Sequence, residues 1–242
     1  MQGFDELFGE SYLHFWRHLL TDERSDREVE VIWRLLAPTE GTELLDLACG
    51  HGRIANRLAG RGLRVTGLDR SARFLEAARA DAAARGVEVD YVEGDMRELP
   101  WHERFDAVLC WFTAFGYFED GVLRDVLRGV RRTLRPGGRF LLEANSLTNV
   151  MTRLQPFGLS ERGDDFLLER RRFDPLRGGF ETEYVAIRDG DVRRYPVFIR
   201  GFTFTELRDW LLDAGFSRVE GFGEDAEPLT HEHRRALWLA TA

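Results

Sequence analysis

The sequence predicts an α/β fold with a doubly wound, seven-stranded, mostly parallel sheet and an antiparallel inserted cap. Short apolar runs alternate with helical segments up to residue 145, as in parallel sheets covered by helices on both faces. Residues 146–202 break this alternation, and residues 203–242 return to one helix and two strands. The chain has 242 residues, of which 43% are hydrophobic, enough to bury a sizeable core.

Two helices are expected before the first strand. Apolar side chains recur at helical spacing over residues 3–20 and include an aromatic stripe. A second helix is expected from about Asp26 to Leu36, because Pro38 cannot continue it. Residues 1–38 are therefore predicted to form a helical segment that precedes the sheet.

Residues 39–145 are predicted to contain five strands and the helices between them. The strand-like runs are TELLDLA, LRVTGLD, VEVDYVEGD, FDAVLCWF and RFLLEAN. The helical runs are GRIANRLAGRG, ARFLEAARADAAAR and VLRDVLRGVRRTL. Ser71 is suited to cap the second of these helices and Gly86 to end it. An Arg-Pro-Gly-Gly turn precedes the fifth strand.

Residues 146–202 are expected to form the antiparallel cap. DFLLERRRFD, GFETEYVAIRDG and DVRRYPVFIRGF predict three strands joined by turn-rich segments. Regular connections are only a few residues long, and an insertion of this size often covers a site. In residues 203–242, Thr203 and Glu206 predict a capping box before a helix. FSRVEGF and RALWLATA then predict a hairpin at the sheet edge.

Composition bears on the partners and the compartment. The formal charge of −8 disfavours bulk nucleic-acid binding, and we interpret the Arg cluster of residues 170–172 as one charged strand face. Cys49 and Cys110 form no disulfide framework and are expected to be buried thiols. Because no apolar run approaches membrane-spanning length and no signal-like segment is evident, a cytoplasmic protein with no membrane partner is expected.

Two strand ends carry residues that predict a nucleotide-like ligand. Gly50 and Gly52 lie where the first strand becomes a helix, and glycine there lets the backbone turn tightly and approach a ligand. Asp69 ends the next strand, where an acid can accept hydrogen bonds from both ribose hydroxyls. As a bare pattern, Gly50-x-Gly52-x-x-Ala55 also fits a dinucleotide fingerprint, so NAD binding is an alternative.

Three further features resemble class I methyltransferases, which use S-adenosylmethionine. They are Asp46 before the loop, the run EGDM at residues 93–96 and the RPGG turn, and the resemblance is strongest over residues 40–145. It implies a cofactor-binding core over residues 39–145, completed by residues 203–242, and a helical lid over residues 1–38. The same features, and the lack of an evident hydride-transfer constellation, oppose an NAD dehydrogenase.

The resemblance also implies a role for individual residues on the cofactor. The Ala48-to-Gly52 backbone would line the methionine part, Asp69 and Arg70 the ribose, and Asp95 and Met96 the adenine. Near the sulfonium the wall would be formed by Cys110 and Trp111, and Tyr12 of the lid would reach the carboxylate. The implied cofactor contacts are Tyr12, Ala48, Cys49, Gly50, Gly52, Asp69, Arg70, Asp95, Met96 and Cys110.

The segment after the fourth strand points to the acceptor. Residues 110–120 resemble bacterial small-molecule methyltransferases, including those acting on amino sugars, and they lack the Asn/Asp-Pro-Pro-Tyr signature of base-amine enzymes. The expected reaction is in-line methyl transfer to an O or N atom of a small molecule. Tyr117 is a candidate for orienting the acceptor, and His231 is a candidate general base. His231 and His233 have no evident third partner, so no metal is predicted.

Other functions remain open at this stage. An RNA or protein methyltransferase of the same fold is one alternative, and a non-catalytic cofactor-binding protein is another. The inserted cap could also supply the surface of a homodimer.

Overall fold

A computed structural model describes residues 12–242, without the side chains of Tyr12, Leu13 and Arg17. The first described helix, α1, spans Tyr12–Trp16 and is followed by a 3₁₀ turn over Arg17–Leu19. The rest of the helix predicted over residues 3–20 lies outside the described residues.

The sheet core is built from helices and strands that alternate along the chain. In chain order its elements are α2 (Asp22–Leu36), β1 (Glu43–Leu47), α3 (Ala55–Ala59), β2 (Arg64–Asp69), α4 (Ala72–Arg85), β3 (Asp90–Glu93), β4 (Phe105–Cys110), α5 (Asp120–Thr133) and β5 (Leu134–Ala144). The remaining elements are α6 (Leu147–Arg153), β6 (Phe157–Arg162), β7 (Asp165–Asp174), β8 (Gly179–Arg188), β9 (Asp191–Arg200), α7 (Phe204–Asp213), β10 (Arg218–Phe222) and β11 (Ala236–Thr241).

The main sheet has seven strands in the order β10-β11-β5-β4-β1-β2-β3. Strands β1 to β5 pair in parallel, whereas β11 runs antiparallel to both of its neighbours, β5 and β10. The predicted α/β fold class is therefore confirmed, with the C-terminal hairpin at one edge. Because β10 runs parallel to β5, the loop between β10 and β11 lies at the carboxyl edge of the sheet, where open α/β sheets bind ligands.

Successive residues of the central strands face two separate cores. Leu45 and Val108 belong to a core that includes side chains of α5 and α7, whereas Leu44 and Leu109 belong to a core with α2, α3 and α4. This alternation follows from the two-residue period of a strand. Helices cover both faces, so the sheet is doubly wound as predicted.

Helix ends agree with the predicted caps in three places. The Ser71 hydroxyl accepts the Phe74 N–H at 3.3 Å, and Gly86 ends α4 in the left-handed region at φ 65°. The Thr203 hydroxyl accepts the Glu206 N–H at 3.2 Å. The Glu206 carboxylate, however, contacts the guanidinium of Arg200 at the end of the cap, so an ion pair replaces the second half of the box.

Three predicted boundaries differ from the structure. Helix α2 begins four residues before Asp26, because the Thr21 hydroxyl caps it by accepting the Arg24 N–H at 3.3 Å. Helix α3 is a single short turn, since the residues before Ala55 form the glycine loop. The RPGG segment is a bulge inside β5, where β4 pairs with Leu134 and then with Arg139.

The cap is a four-stranded antiparallel sheet in the order β6-β7-β8-β9. The three predicted strands are confirmed, but β6 and the helix α6 before it are additional. The apolar residues of β6, Phe157 and Leu159, are 75% and 65% exposed, so no buried alternation marks this strand in the sequence. Its conformation follows from pairing with β7, from Phe157 opposite Arg170 to Arg162 opposite Asp165.

Helix α1 packs on the cap. The Phe15 ring is buried with Leu167, Ala186 and Tyr195, and the His14 Nε2 atom lies 2.8 Å from the Asp165 carboxylate. The lid over the cofactor, which the resemblance implies for residues 1–38, stays a prediction. No helix within residues 12–242 is long and apolar enough to span a membrane.

Candidate functional site

A cavity of about 330 Å³ opens at the carboxyl edge of the sheet, around the ends of β1, β2 and β4. This volume is in the range of small-molecule sites, about 300–1,000 Å³. The structure brings together in its wall most of the predicted site residues, namely Ala48, Cys49, Gly50, Asp69, Arg70, Asp95, Met96 and Tyr117.

Two residues with predicted cofactor contacts are absent from the cavity wall. Gly52 has φ 76°, and a Cβ atom there would overlap the Tyr91 hydroxyl, so its small size lets the loop close on β3 and α4. Cys110 is fully buried in the core that includes α5, whereas its neighbour Trp111 lines the cavity. Neither residue lines the cavity in the described part of the chain, and their contact with the cofactor stays a prediction.

Of the other two predicted residues, one is absent from the cavity wall and the side chain of the other is not described. His231 is an exposed residue of the β10–β11 loop and is absent from the cavity wall. The loop itself lies at the predicted carboxyl edge. The side chain of Tyr12 falls outside the described part of the chain, so its predicted contact with the cofactor is not described.

Asp69 connects the glycine loop to the end of β2. Its Oδ2 atom accepts the Gly50 N–H at 2.8 Å, and its Oδ1 atom accepts the Ser71 N–H at 2.9 Å. Burial raises the pKa of Asp69 above its usual value, although these N–H donors oppose the shift. Each carboxylate oxygen keeps a second lone pair, so Asp69 can also accept hydrogen bonds from a pair of ligand hydroxyls.

Asp95 also lines the cavity and is bound by its neighbour Arg97. The Arg97 Nη2 atom lies 2.6 Å from Oδ2, and Arg97 Nε donates to Oδ1 at 2.9 Å. These hydrogen bonds lower the pKa of Asp95, so the group is an ionised acceptor. The Arg97 guanidinium also lies 4.9 Å from the ring centroid of Phe118, another wall residue.

Arg53 is a site residue that the sequence analysis did not single out. Its Nη1 atom lies 2.6 Å from Glu28 Oε2, and its guanidinium lies 5.1 Å from the ring centroid of Phe112. Its Nη2 atom is buried and has no hydrogen-bond partner among the described residues. A buried donor without a partner costs about 1–3 kcal/mol, so an anionic ligand group is favoured here. The sequence feature that could have identified Arg53 is its position directly after Gly52.

These features test the fit of the cofactor that the resemblance implies. S-adenosylmethionine carries a ribose with two hydroxyls and an amino-acid carboxylate. The cavity offers Asp69 as an acceptor for the hydroxyls and the unpaired Arg53 N–H as a donor for the carboxylate. The residues present therefore fit the ribose and the amino-acid carboxylate of the group.

Glu28 of α2 is the carboxylate that pairs with Arg53. Its Oε2 atom also accepts the Trp111 Nε1–H at 3.0 Å, and its Oε1 atom accepts a hydrogen bond from Arg235 at 2.8 Å. Burial opposes ionisation of Glu28, but the two guanidiniums outweigh it and lower its pKa to about 2. Glu28 is therefore a buried, paired carboxylate.

Glu28→Gln is expected to remove a pH-dependent part of the stability. The folded-state pKa of about 2 lies below the reference value of 4.5, so the stabilising charge is fully present above pH 4.5 and is lost as pH falls towards 2. The difference in unfolding free energy between wild type and variant should shrink over that window in urea titrations. A constant difference from pH 6 to pH 2.5 would contradict the lowered pKa. Glu40→Gln, at an exposed Glu, is the control.

Asp46 lies in the cavity wall, where a charged acid is disfavoured. Burial, followed by the nearby Asp69, raises its pKa to about 7, although Arg53 and the Ala55 N–H favour the charged form. Its hydrogen bond with the Ala55 N–H supports the predicted role in organising the loop. Burial likewise raises the pKa of the Cys49 and Cys110 thiols, which lie in different cores and are both free.

Comparisons with known proteins identify methyltransferases. A family model described as "Methyltransferase domain" matches residues 44–138. The putative methyltransferase YqeM of Bacillus subtilis is 32% identical over 211 residues, which cover 84% of this chain and 85% of that protein. The ubiquinone/menaquinone biosynthesis C-methyltransferase UbiE of Paracoccus denitrificans is 32% identical over 206 residues, which cover 79% of this chain and 75% of that protein. The structure of the CcbJ methyltransferase from Streptomyces caelestis aligns with a TM-score of 0.77 and 25% identity, over 90% of this chain and 89% of that one.

Proposed function

We propose a small-molecule acceptor for this chain, which belongs to the family of class I S-adenosylmethionine-dependent methyltransferases. The proposed reaction is methylation of an O or N atom of that molecule. The observation that carries this proposal is the cavity, whose wall contains Asp69 and an Arg53 side chain with one unpaired N–H. When bound, S-adenosylmethionine would supply an activated methyl group, whose carbon the acceptor atom would attack in line while S-adenosylhomocysteine leaves.

The contribution of the protein is binding and orientation. We assign Asp69 to the ribose hydroxyls and Arg53 to the carboxylate, which together fix the direction of the cofactor chain. Trp111 and Phe112 line the same cavity and give it an apolar surface. Aligning the reacting atoms in this way can account for a large part of a rate enhancement.

The acceptor is proposed to enter on the side of Tyr117. This residue lines the cavity and also packs against the cluster formed by α1 and the cap, so it lies between cofactor and cap. A net charge of −8 supports a small molecule over RNA. The relative from Paracoccus denitrificans is a C-methyltransferase, and a carbon acceptor is therefore the alternative at the level of the acceptor atom.

The test is calorimetric titration with S-adenosylhomocysteine and, in parallel, with NADH. Micromolar binding of the first and no binding of the second are expected, followed by a screen of amines, alcohols and phenols for release of S-adenosylhomocysteine. Binding of NADH alone would refute the cofactor. Turnover only on RNA or protein would refute the small-molecule acceptor.

His231→Ala is expected to lower turnover without weakening S-adenosylhomocysteine binding. A general base contributes about 10²-fold or more to the rate, and loss of His231 should appear in kcat. The matched control is His102→Ala, because His102 is an exposed histidine that precedes β4 at the opposite edge of the sheet. An unchanged rate would make His231 a loop residue outside the reaction and leave Tyr117 as the acceptor-side candidate.

A further inference from the structure

The segment that follows β4 has a backbone conformation that needs support. Phe112 and Thr113 both lie in the left-handed region, at φ 61° and 59°, and neither is a glycine. Residues with a Cβ atom rarely adopt this conformation, because it is sterically strained and persists only where the surrounding structure holds it. Phe112 lines the cavity, so whatever holds this backbone also shapes the cofactor site.

Glu143, near the end of β5, is the group that holds Phe112. Its Oε2 atom accepts the Phe112 N–H at 2.7 Å, and its side chain is almost fully buried. The charge is balanced by Arg235, whose Nε atom donates to Glu143 Oε1 at 2.6 Å. A buried ionised acceptor makes a stronger hydrogen bond than a neutral one, as this strained segment requires.

Arg235 connects this carboxylate to a second one. Its Nη1 atom donates to Glu28 Oε1 at 2.8 Å, and its guanidinium lies 5.1 Å from the Trp111 ring centroid. Arg235 therefore joins Glu143 of β5 to Glu28 of α2 from the start of β11. The planar, multidentate guanidinium can make both contacts at once, which a lysine ammonium cannot do.

Both connections end at Arg53. Glu28 contacts the Arg53 Nη1 atom at 2.6 Å, and the Phe112 ring, whose backbone is held by Glu143, lies under the same guanidinium. Arg24 lies 5.1 Å from the same Phe112 ring centroid. A long arginine side chain loses much conformational freedom when it binds a ligand, and holding it in place beforehand reduces that loss.

We propose that Glu143 and Arg235 are positioning residues for cofactor binding. They hold Phe112 and Glu28, and these two residues direct the unpaired N–H of Arg53 towards the carboxylate of S-adenosylmethionine. The inference rests on the proposed function, because it assigns the binding of that carboxylate to Arg53. The sequence feature that marks Glu143 is the position of this acid inside the apolar strand RFLLEAN.

The test uses two ligands that differ in the relevant group. S-adenosylhomocysteine carries the amino-acid carboxylate, whereas 5′-methylthioadenosine has the same nucleoside without it. Glu143→Ala is expected to weaken binding of S-adenosylhomocysteine by about tenfold, because Arg53 is then less ordered before binding, and to leave the affinity for 5′-methylthioadenosine within about twofold. Glu143→Gln keeps an acceptor for the Phe112 N–H and should recover part of the loss.

The matched control is Asp106→Ala. Asp106 also accepts a backbone N–H, that of Glu43 at 2.9 Å, and pairs with an arginine, Arg135 at 2.6 Å, but it lies outside the cavity. This variant should bind both ligands as wild type does. Thermal melting of each variant with and without ligand shows that the protein is folded at the titration temperature.

Arg235→Lys is the second variant, to be used if Glu143→Ala fails to fold. It keeps the positive charge at position 235. It should lower the affinity for S-adenosylhomocysteine alone, because one ammonium cannot hold both carboxylates. Equal losses for the two ligands, or no loss for either, would overturn the positioning role. Failure of wild type to bind S-adenosylhomocysteine would instead refute the proposed function, so the two failures are distinguishable.

Discussion

Asp69→Ala is expected to weaken the binding of S-adenosylhomocysteine by about 100-fold or more. Two hydrogen bonds from ribose hydroxyls to an ionised carboxylate contribute about 1.5–3 kcal/mol each, and both are lost in the alanine variant. The variant also loses the acceptor that holds the Gly50 N–H at 2.8 Å, so the glycine loop is less ordered before binding. Calorimetric titration of the wild type and the variant measures the change.

The two nucleoside ligands define the outcome for Asp69. Because 5′-methylthioadenosine contains the same ribose, its affinity should fall by a similar factor. Asp69→Asn keeps one acceptor oxygen and should give a smaller loss than Asp69→Ala. An unchanged affinity in Asp69→Ala would refute the ribose assignment, and a loss confined to S-adenosylhomocysteine would place Asp69 at the amino-acid part instead.

Arg53→Met is expected to weaken only the ligand that carries a carboxylate, unlike Asp69→Ala, which should weaken both. Removal of the guanidinium should weaken S-adenosylhomocysteine binding by about 10- to 100-fold, since a charged hydrogen bond to a carboxylate contributes about 1.5–3 kcal/mol. The affinity for 5′-methylthioadenosine should stay close to that of wild type, because this ligand has no carboxylate. The ratio of the two dissociation constants is therefore the quantity to measure.

A nearby arginine provides the control for Arg53. Arg57, one helical turn later, also pairs with carboxylates of α2 and is absent from the cavity wall, so Arg57→Met should leave the ratio unchanged. Arg53→Met removes one of the cations that pair with Glu28. Arg53→Lys is therefore a second variant, which tests the contact with the ligand carboxylate while the charge beside Glu28 is retained. Equal weakening of both ligands in the two Arg53 variants would assign Arg53 a structural role only.

The residues at strand ends could be predicted because they follow from local patterns. Asp69 ends an apolar run and Gly50 follows another, and parallel strands bring their carboxyl ends to one edge. The two glycines of the loop looked alike in the sequence. Gly50 lines the cavity, whereas Gly52 must lack a side chain because a Cβ atom there would overlap Tyr91. Tyr91 belongs to β3, and the loop pattern alone does not reveal that contact.

The charged residues behind the cavity could not be predicted in this way. Glu28, Glu143 and Arg235 are far apart in the chain, and each reads alone as an ordinary charged residue. In the structure they form one ion-pair cluster, because α2, β5 and the start of β11 meet beside the segment after β4.

The sequence by itself determined the α/β class, the order of the strands along the chain and the chemistry of the loop, because hydrophobic periodicity and turn residues act over a few neighbours. Only the tertiary structure decided that β6 adds to the cap, that Cys110 is fully buried while Trp111 lines the cavity, and that Arg53 lines the cavity with one N–H unpaired. Each of these depends on contacts between distant segments, and the orientation of a side chain is set by the groups that pack around it.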